Sequence, residues 1–371
     1  MGIHQGRLQM KIKNLYLGSL TSIAVLASSL ANAEQAVTVP TFEGGFTASI
    51  GTFYVVPSSA DGTLAVVGPQ DNPVVFDNLG YISPSTKYQF GWEASIGYIF
   101  EDTGNDIELY YRGLSNDTTN DINGVVSPIF EDTTSDISSK LKYELETADL
   151  MIGQFIDLGT HVQMRFSGGL SYLFTQQQEN LSADVSAPFP PSPPTPPLPG
   201  PPAPGIYAID QTSKFSGFGP RVSLDSRYDF GGDAEGLGIV GGASLAFFLG
   251  NNKITGNTDV AMPVPPPPDS NLRDPTIEQI ETTFSDKLEN QAVTNLRANL
   301  GIDYVFFFDN EESTLGIELG YLVDYYDNAI ATVDTAQLNG GPAGFDAGIG
   351  FETNTSALTF SGPYLQIKGV F

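Results

Sequence analysis

The amino-acid sequence predicts an all-β fold: a transmembrane antiparallel up-and-down β-barrel of about ten strands, with eight or twelve strands as alternatives. Three observations predict it. Apolar and polar residues alternate with a period of two in many segments, as in strands with one dry and one wet face. The connections between these segments are alternately short and long. The chain also opens with an export segment, and an exported chain without membrane-spanning helices can still enter a membrane as a closed barrel.

Residues 1–33 have the features of a signal peptide. Two lysines precede a long uncharged apolar run, and residues 31–33 (Ala-Asn-Ala) have the small-x-small form that signal peptidase accepts. We expect cleavage between Ala33 and Glu34. The remaining residues, 34–371, are then one barrel domain.

The alternation is clearest between Tyr88 and Phe100, where every second residue is apolar or aromatic and those between are small or polar, except Ile99. Similar patterns predict ten strands. Their approximate ranges are 44–56, 86–100, 105–115, 138–156, 162–174, 215–230, 237–250, 290–308, 314–327 and 356–371.

The connections fall into two classes that alternate along the chain. The tight ones are 101–105, 157–161, 231–236 and 309–313, and the long ones are 57–85, 116–137, 175–214, 251–289 and 328–355. Outer-membrane barrels have short periplasmic turns and long extracellular loops, so we expect this orientation. The segments 188–205 and 263–269 are rich in proline, which cannot join a sheet interior, and we expect extended extracellular excursions there.

The polar faces of the predicted strands are expected to line the barrel interior. A charge that faces lipid near mid-depth costs about 2–4 kcal/mol for Arg or Lys, so charges should collect on the other face. Lys368 belongs to these faces too. The alternation slips near Ala148 and Asp149, which suggests a bulge or a misplaced strand boundary and leaves Asp149 without a face. The predicted pore-lining set is Glu93, Glu108, Arg112, Lys140, Lys142, Glu144, Glu146, Arg165, Arg221, Asp225, Arg227, Arg297, Asp303, Glu318 and Asp324.

Small residues and aromatic residues add two further expectations. Glycines on the inner faces, such as Gly91, Gly301 and Gly320, should leave some open space. The last strand alternates and ends in Phe371, which resembles a barrel-assembly signal. We therefore expect the barrel-assembly machinery, outer-membrane lipid and lipopolysaccharide as partners.

The composition excludes several functional classes. The chain has 16 Lys and Arg against 43 Asp and Glu, a net charge of −27, which argues against nucleic acid as a partner. It has no cysteine, and His161 is the only histidine after the signal peptide. Zinc sites, catalytic triads and Cys-His pairs need more than this, so we expect no enzyme, no such metal site and no cofactor. Loose binding of calcium or magnesium by the acidic loops stays open.

The stretches GYIFEDTGNDIELYY (97–111) and GQFIDLGTHVQMRFSGGLSYLF (153–174) resemble the Legionella-type major outer membrane protein family. The resemblance covers most of residues 40–371 and implies a pore-forming barrel in the outer membrane. The predicted function is thus passive diffusion of small hydrophilic solutes or ions through the barrel. The alternative is a closed structural or adhesin-type surface barrel. The sequence leaves a homo-oligomer open.

Overall fold

The computed structural model of the protein describes residues 37–40, 42, 44–59, 65–67, 80–82, 86–125, 134–187, 203–231, 235–264, 276–308, 313–335 and 351–371. The predicted signal peptide, its cleavage site at Ala33 and Glu34, and most of both proline-rich segments lie outside these residues. No helix in the described ranges is long and apolar enough to span a membrane.

The described chain is built of antiparallel strands. They are β1 Val37–Thr38, β2 Gly45–Ser59, β3 Ala65–Val67, β4 Gly80–Ile82, β5 Gln89–Ile99, β6 Asn105–Val125, β7 Thr134–Leu158, β8 Val162–Ala187, β9 Ala203–Asp229, β10 Gly236–Val264, β11 Thr276–Phe308, β12 Ser313–Thr335 and β13 Phe351–Val370.

Ten of these strands close into a ring, which confirms the predicted fold class and strand number. Each strand from β5 to β13 pairs with the next one along the chain, and β13 returns to pair with β2, which pairs with β5. The short strand β1 adds to β7, while β3 and β4 form a separate two-stranded sheet. A closed ring leaves none of its ten strands as an unpaired edge.

One end of the barrel, here called the lower end, carries the tight turns, the start of β2 and the end of β13. Phe46 and Phe371 exchange two backbone hydrogen bonds of 2.9 Å there. The turn between β5 and β6 contains Asp102 and Gly104 at positive φ, and Gly159 has the same conformation between β7 and β8. Glycine and aspartate tolerate this region of backbone space better than most residues, which is why these turns can be so tight.

At the opposite, upper end the strands run much further than the sequence predicted. Most of the segment 116–137, predicted as a long loop, is strand: β6 continues to Val125 and β7 begins at Thr134. The hairpin of β10 and β11 likewise reaches Val264 and Thr276. Within the described ranges, residues 203–205 and 263–264 of the proline-rich segments are in strands, and they include Pro204 and Pro263 near the tips.

A band of exposed apolar side chains surrounds the lower part of the outer surface. On β10 the outward positions run from Leu237 to Leu249 and include Phe247. With a rise of about 3.4 Å per residue and a tilt of about 40°, this run covers roughly 30 Å, close to the ~25 Å apolar band of outer-membrane barrels. Exposed aromatics edge the band, for example Phe371 below and Phe218 above.

The predicted bulge near Ala148 and Asp149 does not exist, because β7 keeps continuous register with both β6 and β8. Register shifts occur elsewhere, between Gly250 and Asn252 on β10 and between Tyr326 and Ile330 on β12. The second shift matters for the barrel interior, as described below.

Candidate functional site in the barrel lumen

Eleven of the fifteen predicted pore-lining residues point into the lumen. Because inward positions alternate with exposed apolar ones along each strand, the two faces are sharply separated in chemistry. Whether these residues line a conducting path stays a prediction. The inward-facing members are Glu93, Glu108, Arg112, Arg165, Arg221, Asp225, Arg227, Arg297, Asp303, Glu318 and Asp324.

The other four, Lys140, Lys142, Glu144 and Glu146, lie on the outer face of β7, and their predicted inward placement was wrong. Their odd-numbered neighbours Leu141, Tyr143 and Leu145 are the ones buried inside. This part of β7 lies above the apolar band, so its outer face meets water. There Lys142 bonds to Glu144 at 2.5 Å, a hydrogen bond that raises the pKa of Lys142.

Three acidic residues that the sequence did not assign also face the lumen. Asp149 lies 3.3 Å from Arg221. Asp106 accepts a hydrogen bond of 2.5 Å from Arg165, and Asp229 pairs with Arg227. The sequence pattern does indicate an inward position for Asp106 and Asp229, since each lies an even number of residues from an inward-facing charge on the same strand. Both lie next to a tight turn, where alternation alone does not assign a face.

At mid-depth, charged side chains connect opposite walls of the barrel. Arg112 on β6 is ion-paired with Asp324 on β12, strands that are four places apart in one direction of the ring and six in the other. Arg297 on β11 lies 3.3 Å from Glu93 on β5 and donates a 2.9 Å hydrogen bond to Tyr110. The Arg112 and Asp324 side chains are 2% and 1% exposed. This network therefore links opposite walls through side chains that are almost completely buried.

Towards the lower end the interior is more open. Lys368 pairs with Glu318 at 2.7 Å, yet its side chain is 53% exposed. Asp225 lies 3.6 Å from Arg165 and is 51% exposed. Both point into the lumen, so their exposed surface faces a polar space inside the lower part of the barrel. We call this space the lower vestibule.

Above the charged network the lumen is apolar and closely packed. Side chains from all around the ring meet in one buried cluster. Its larger members are Phe53, Leu114, Leu141, Tyr143, Leu145, Leu173, Phe215, Phe248, Leu322, Tyr326, Leu358 and Phe360. This cluster excludes water from the upper part of the barrel.

One segment of β12 separates from β11 and lies across the lumen, while Ile330 and Ala331 stay paired with β13. The pairing of β11 with β12 ends at Asp327, and the register with β13 shifts by the time it resumes at Ile330. Asn328 has φ 58° at this break. The residues that follow, 329–331, are all buried in succession, unlike a wall strand, in which only alternate residues face inward. We call residues 329–331 the inner segment.

The inner segment is held by three strands of the facing wall. Thr175 on β8 and Asn252 on β10 donate to the carbonyl oxygen of Ala329, at 3.3 and 3.4 Å. The amide of Ala331 donates to Ser213 on β9 at 2.9 Å. These polar side chains satisfy backbone groups that would otherwise be buried without partners.

The inner-face glycines do not leave the space that the sequence suggested. A Cβ atom on Gly91 would lie 2.2 Å from the ring of Phe53, and one on Gly320 would lie 2.6 Å from the ring of Tyr364. Each ring belongs to the neighbouring strand, because Phe53 is the ladder partner of Gly91 and Tyr364 is the ladder partner of Gly320. These glycines therefore make room for an aromatic ring on the adjacent strand and leave no open space.

The described residues contain no group of three or more His, Cys, Asp or Glu side chains placed to hold a metal ion. His161 lies at a turn of the lower end, where its ring stacks on Tyr228 and its Nδ1 is 2.9 Å from the carbonyl oxygen of Asp229. The lumen thus offers charges, hydrogen-bond donors and an apolar constriction, features by which channels select and gate.

A family model described as Legionella pneumophila major outer membrane protein precursor matches residues 38–371. Comparison with curated proteins finds no match. Among solved structures, the outer membrane protease OmpT from Escherichia coli has 9% identity and a TM-score of 0.41, covering 90% of this chain and 99% of that one. The Pseudomonas putida toluene transporter TodX has 7% identity and a TM-score of 0.27, covering 88% and 89%. No function is transferred from structures this dissimilar.

Proposed function

This chain belongs to the Legionella major outer membrane protein family and is located in the outer membrane, and we propose that it forms a gated pore there for small hydrophilic solutes or ions. Ionisable side chains inside a membrane span are expensive to bury and usually mark a functional path. A buried ion pair adds little stability compared with apolar packing. The charged interior is therefore better explained by passage of polar solutes than by stability alone.

The observation that carries the proposal is the inner segment. Closure of the upper lumen depends in part on residues 329–331, which are attached to the facing wall by only a few hydrogen bonds. Below it lies the lower vestibule, lined by exposed charges at Lys368 and Asp225. Outward movement of the inner segment, with rearrangement of the apolar cluster and the ion pairs, would join the vestibule to the outside.

A permanently filled barrel that serves structure or adhesion is the second candidate. The bonding of Arg112 to Asp324 across the lumen favours it, because this pair ties two distant strands together. Ten strands are also close to the number at which side chains alone fill a barrel. Neither candidate includes a catalytic role, and the expectation from the sequence that the protein is not an enzyme stays a prediction.

Single-channel recording in planar bilayers distinguishes the two candidates. The chain has no cysteine, so a Ser213→Cys/Ala331→Cys variant can lock the inner segment to β9 by a disulfide. We expect brief openings in the native protein that vanish in the oxidised variant and return on reduction. An Ile330→Asp variant should stay open longer, since a carboxylate cannot remain in the apolar cluster. Absence of current in both native protein and folded Ile330→Asp would support the filled barrel instead.

A further inference from the structure

Three lysines lie directly opposite one another on the outer surface of β9, β10 and β11. Lys214 is the ladder partner of Lys253, and Lys253 is the partner of Lys287. Neighbouring strands are about 4.8 Å apart, so the three side chains leave the sheet along a line of about 10 Å. We call them the lysine row. Like charges placed directly opposite each other destabilise a sheet, and a bound anion would relieve this repulsion.

The lysine row is unusual in so acidic a chain, which has only 16 Lys and Arg against 43 Asp and Glu. Lys287 is 2.8 Å from Glu289, and the hydrogen bond from Lys287 lowers the pKa of this carboxyl. Neither Lys214 nor Lys253 has a carboxylate within 4 Å among the residues that the structure describes. By contrast, Lys140 and Lys142 on β7 each pair with an acid, Asp117 and Glu144.

Polar side chains border the lysine row on the same face. One step above it, Thr212 is opposite Thr255, and Thr255 is opposite Ser285. One step below it, Ser216 is opposite Asn251. Ammonium groups surrounded by hydroxyl and amide groups suit a phosphate, which accepts many hydrogen bonds and carries negative charge.

The row also lies at a defined height. Lys214 is four residues above Phe218, and Lys253 is four residues above Leu249. Phe218 and Leu249 are the uppermost large apolar residues that are exposed on the described parts of their strands. Four residues at a tilt of about 40° correspond to roughly 10 Å along the membrane normal. The row is therefore at the level of the lipid headgroups, outside the apolar band.

We propose that Lys214, Lys253 and Lys287 form a binding site for a phosphate group of lipopolysaccharide in the outer leaflet. The acyl chains of the same molecule would pack against the apolar surface directly below, around Phe218 and Leu249. Both parts of an amphipathic glycolipid thus meet a matching surface on β9 and β10. A free phosphate ion would use only the lysine row and none of the apolar surface.

The test measures binding of lipopolysaccharide to the folded, detergent-purified protein by native mass spectrometry. The triple variant Lys214→Gln/Lys253→Gln/Lys287→Gln removes the row, and Lys87→Gln/Lys140→Gln/Lys142→Gln removes the same charge elsewhere on the surface. We expect the first to lower affinity about tenfold or more and the second to leave it unchanged. Dephosphorylated lipopolysaccharide should bind the native protein as weakly as intact lipopolysaccharide binds the first variant.

Three results would overturn the proposal. Equal affinity of the native protein and the row variant would show that the lysines are only solvated surface charges. Equal loss in both triple variants would show a general charge effect without a site. Inorganic phosphate that binds as tightly as lipopolysaccharide, and competes with it, would show an anion site that does not recognise the lipid. Far-ultraviolet circular dichroism of each variant confirms that the barrel is folded.

Discussion

The amide of Ala331 donates a hydrogen bond of 2.9 Å to the hydroxyl of Ser213, which joins strands three places apart in the ring. Loss of one such bond costs about 0.5–1.5 kcal/mol. If it holds the closed state, Ser213→Ala should raise the open probability of single channels by up to about tenfold. The matched control is Ser216→Ala on the outer face of the same strand, which should change nothing. An equal response of both variants would exclude the inner segment as the gate.

Surface labelling tests the corrected placement of β7. Single cysteines at Lys142 and Glu144 should react with an impermeant maleimide on intact cells, because both side chains are partly exposed on the outer face. A cysteine at Tyr143, which is 1% exposed, should not react. A cysteine at Gly159 should also stay unlabelled if the lower end faces the periplasm. Labelling at Gly159 alone would invert the proposed orientation.

Arginine substitution on adjacent residues of β11 tests the two faces of the barrel wall. Ala298 is outward and near the middle of the apolar band, so Ala298→Arg should lower the free energy of unfolding by about 2–4 kcal/mol. Asn299→Arg points into the lumen and should be better tolerated. Urea unfolding in lipid vesicles provides the comparison. Gly301→Arg is a poor control, since even a Cβ there would lie 2.7 Å from the Leu319 carbonyl oxygen.

A double-mutant cycle on Arg112 and Asp324 measures what the cross-lumen pair contributes. Removal of one partner from a buried pair leaves an uncompensated charge, which typically costs about 3–5 kcal/mol. Arg112→Met or Asp324→Leu alone should therefore be strongly destabilising. The double variant should be less destabilised than the sum of the two, since neither charge is left alone. Additive losses would show that the pair does not act as a unit.

The lumen charge predicts a preference for cations in the open state. Among the described residues, the acidic side chains that face inward outnumber the basic ones. The basic ones are Arg112, Arg165, Arg221, Arg227, Arg297 and Lys368, and the acidic ones include Glu93, Asp106, Glu108, Asp149, Asp157, Glu179, Asp225, Asp229, Asp303, Glu318 and Asp324. Reversal potentials across a salt gradient measure this preference.

Asp225 is the most informative position for this test because it is half-exposed in the lower vestibule. Asp225→Asn should reduce the cation preference, whereas Asp117→Asn on the outer face should leave it unchanged. The effect should fade as salt rises, since charges are screened over about 10 Å at 0.1 M ionic strength. Anion preference in the native protein would contradict the assignment of the lumen charges.

The sequence predicted the wall best where one face meets lipid, because lipid enforces strict alternation. Along β10 from Leu237 to Leu249 the inward and outward sets are clear. Higher up the rule inverts: on β7 the inward residues are apolar, such as Leu141 and Tyr143, and the outward ones are charged. If apolar residues are always assigned to the outer face, the alternation on β7 falsely indicates a shift by one residue at Ala148, although the strand is regular there.

The inner segment could not be predicted from local pattern. Its path depends on Thr175, Asn252 and Ser213, which come from three different strands of the facing wall. Local alternation predicts which side of a strand is apolar. It does not predict that part of a strand will separate from its neighbour and lie across the lumen. The cross-lumen pairs could not be predicted for the same reason, since Arg112 and Asp324 are 212 positions apart in the chain.

The pairing of β2 with β13 has a consequence for biogenesis. The first and last strands of the ring are the two that must meet, so the sheet cannot close before β13 is present. A product truncated before Phe351 would keep two open edges, and such edges readily pair with other chains.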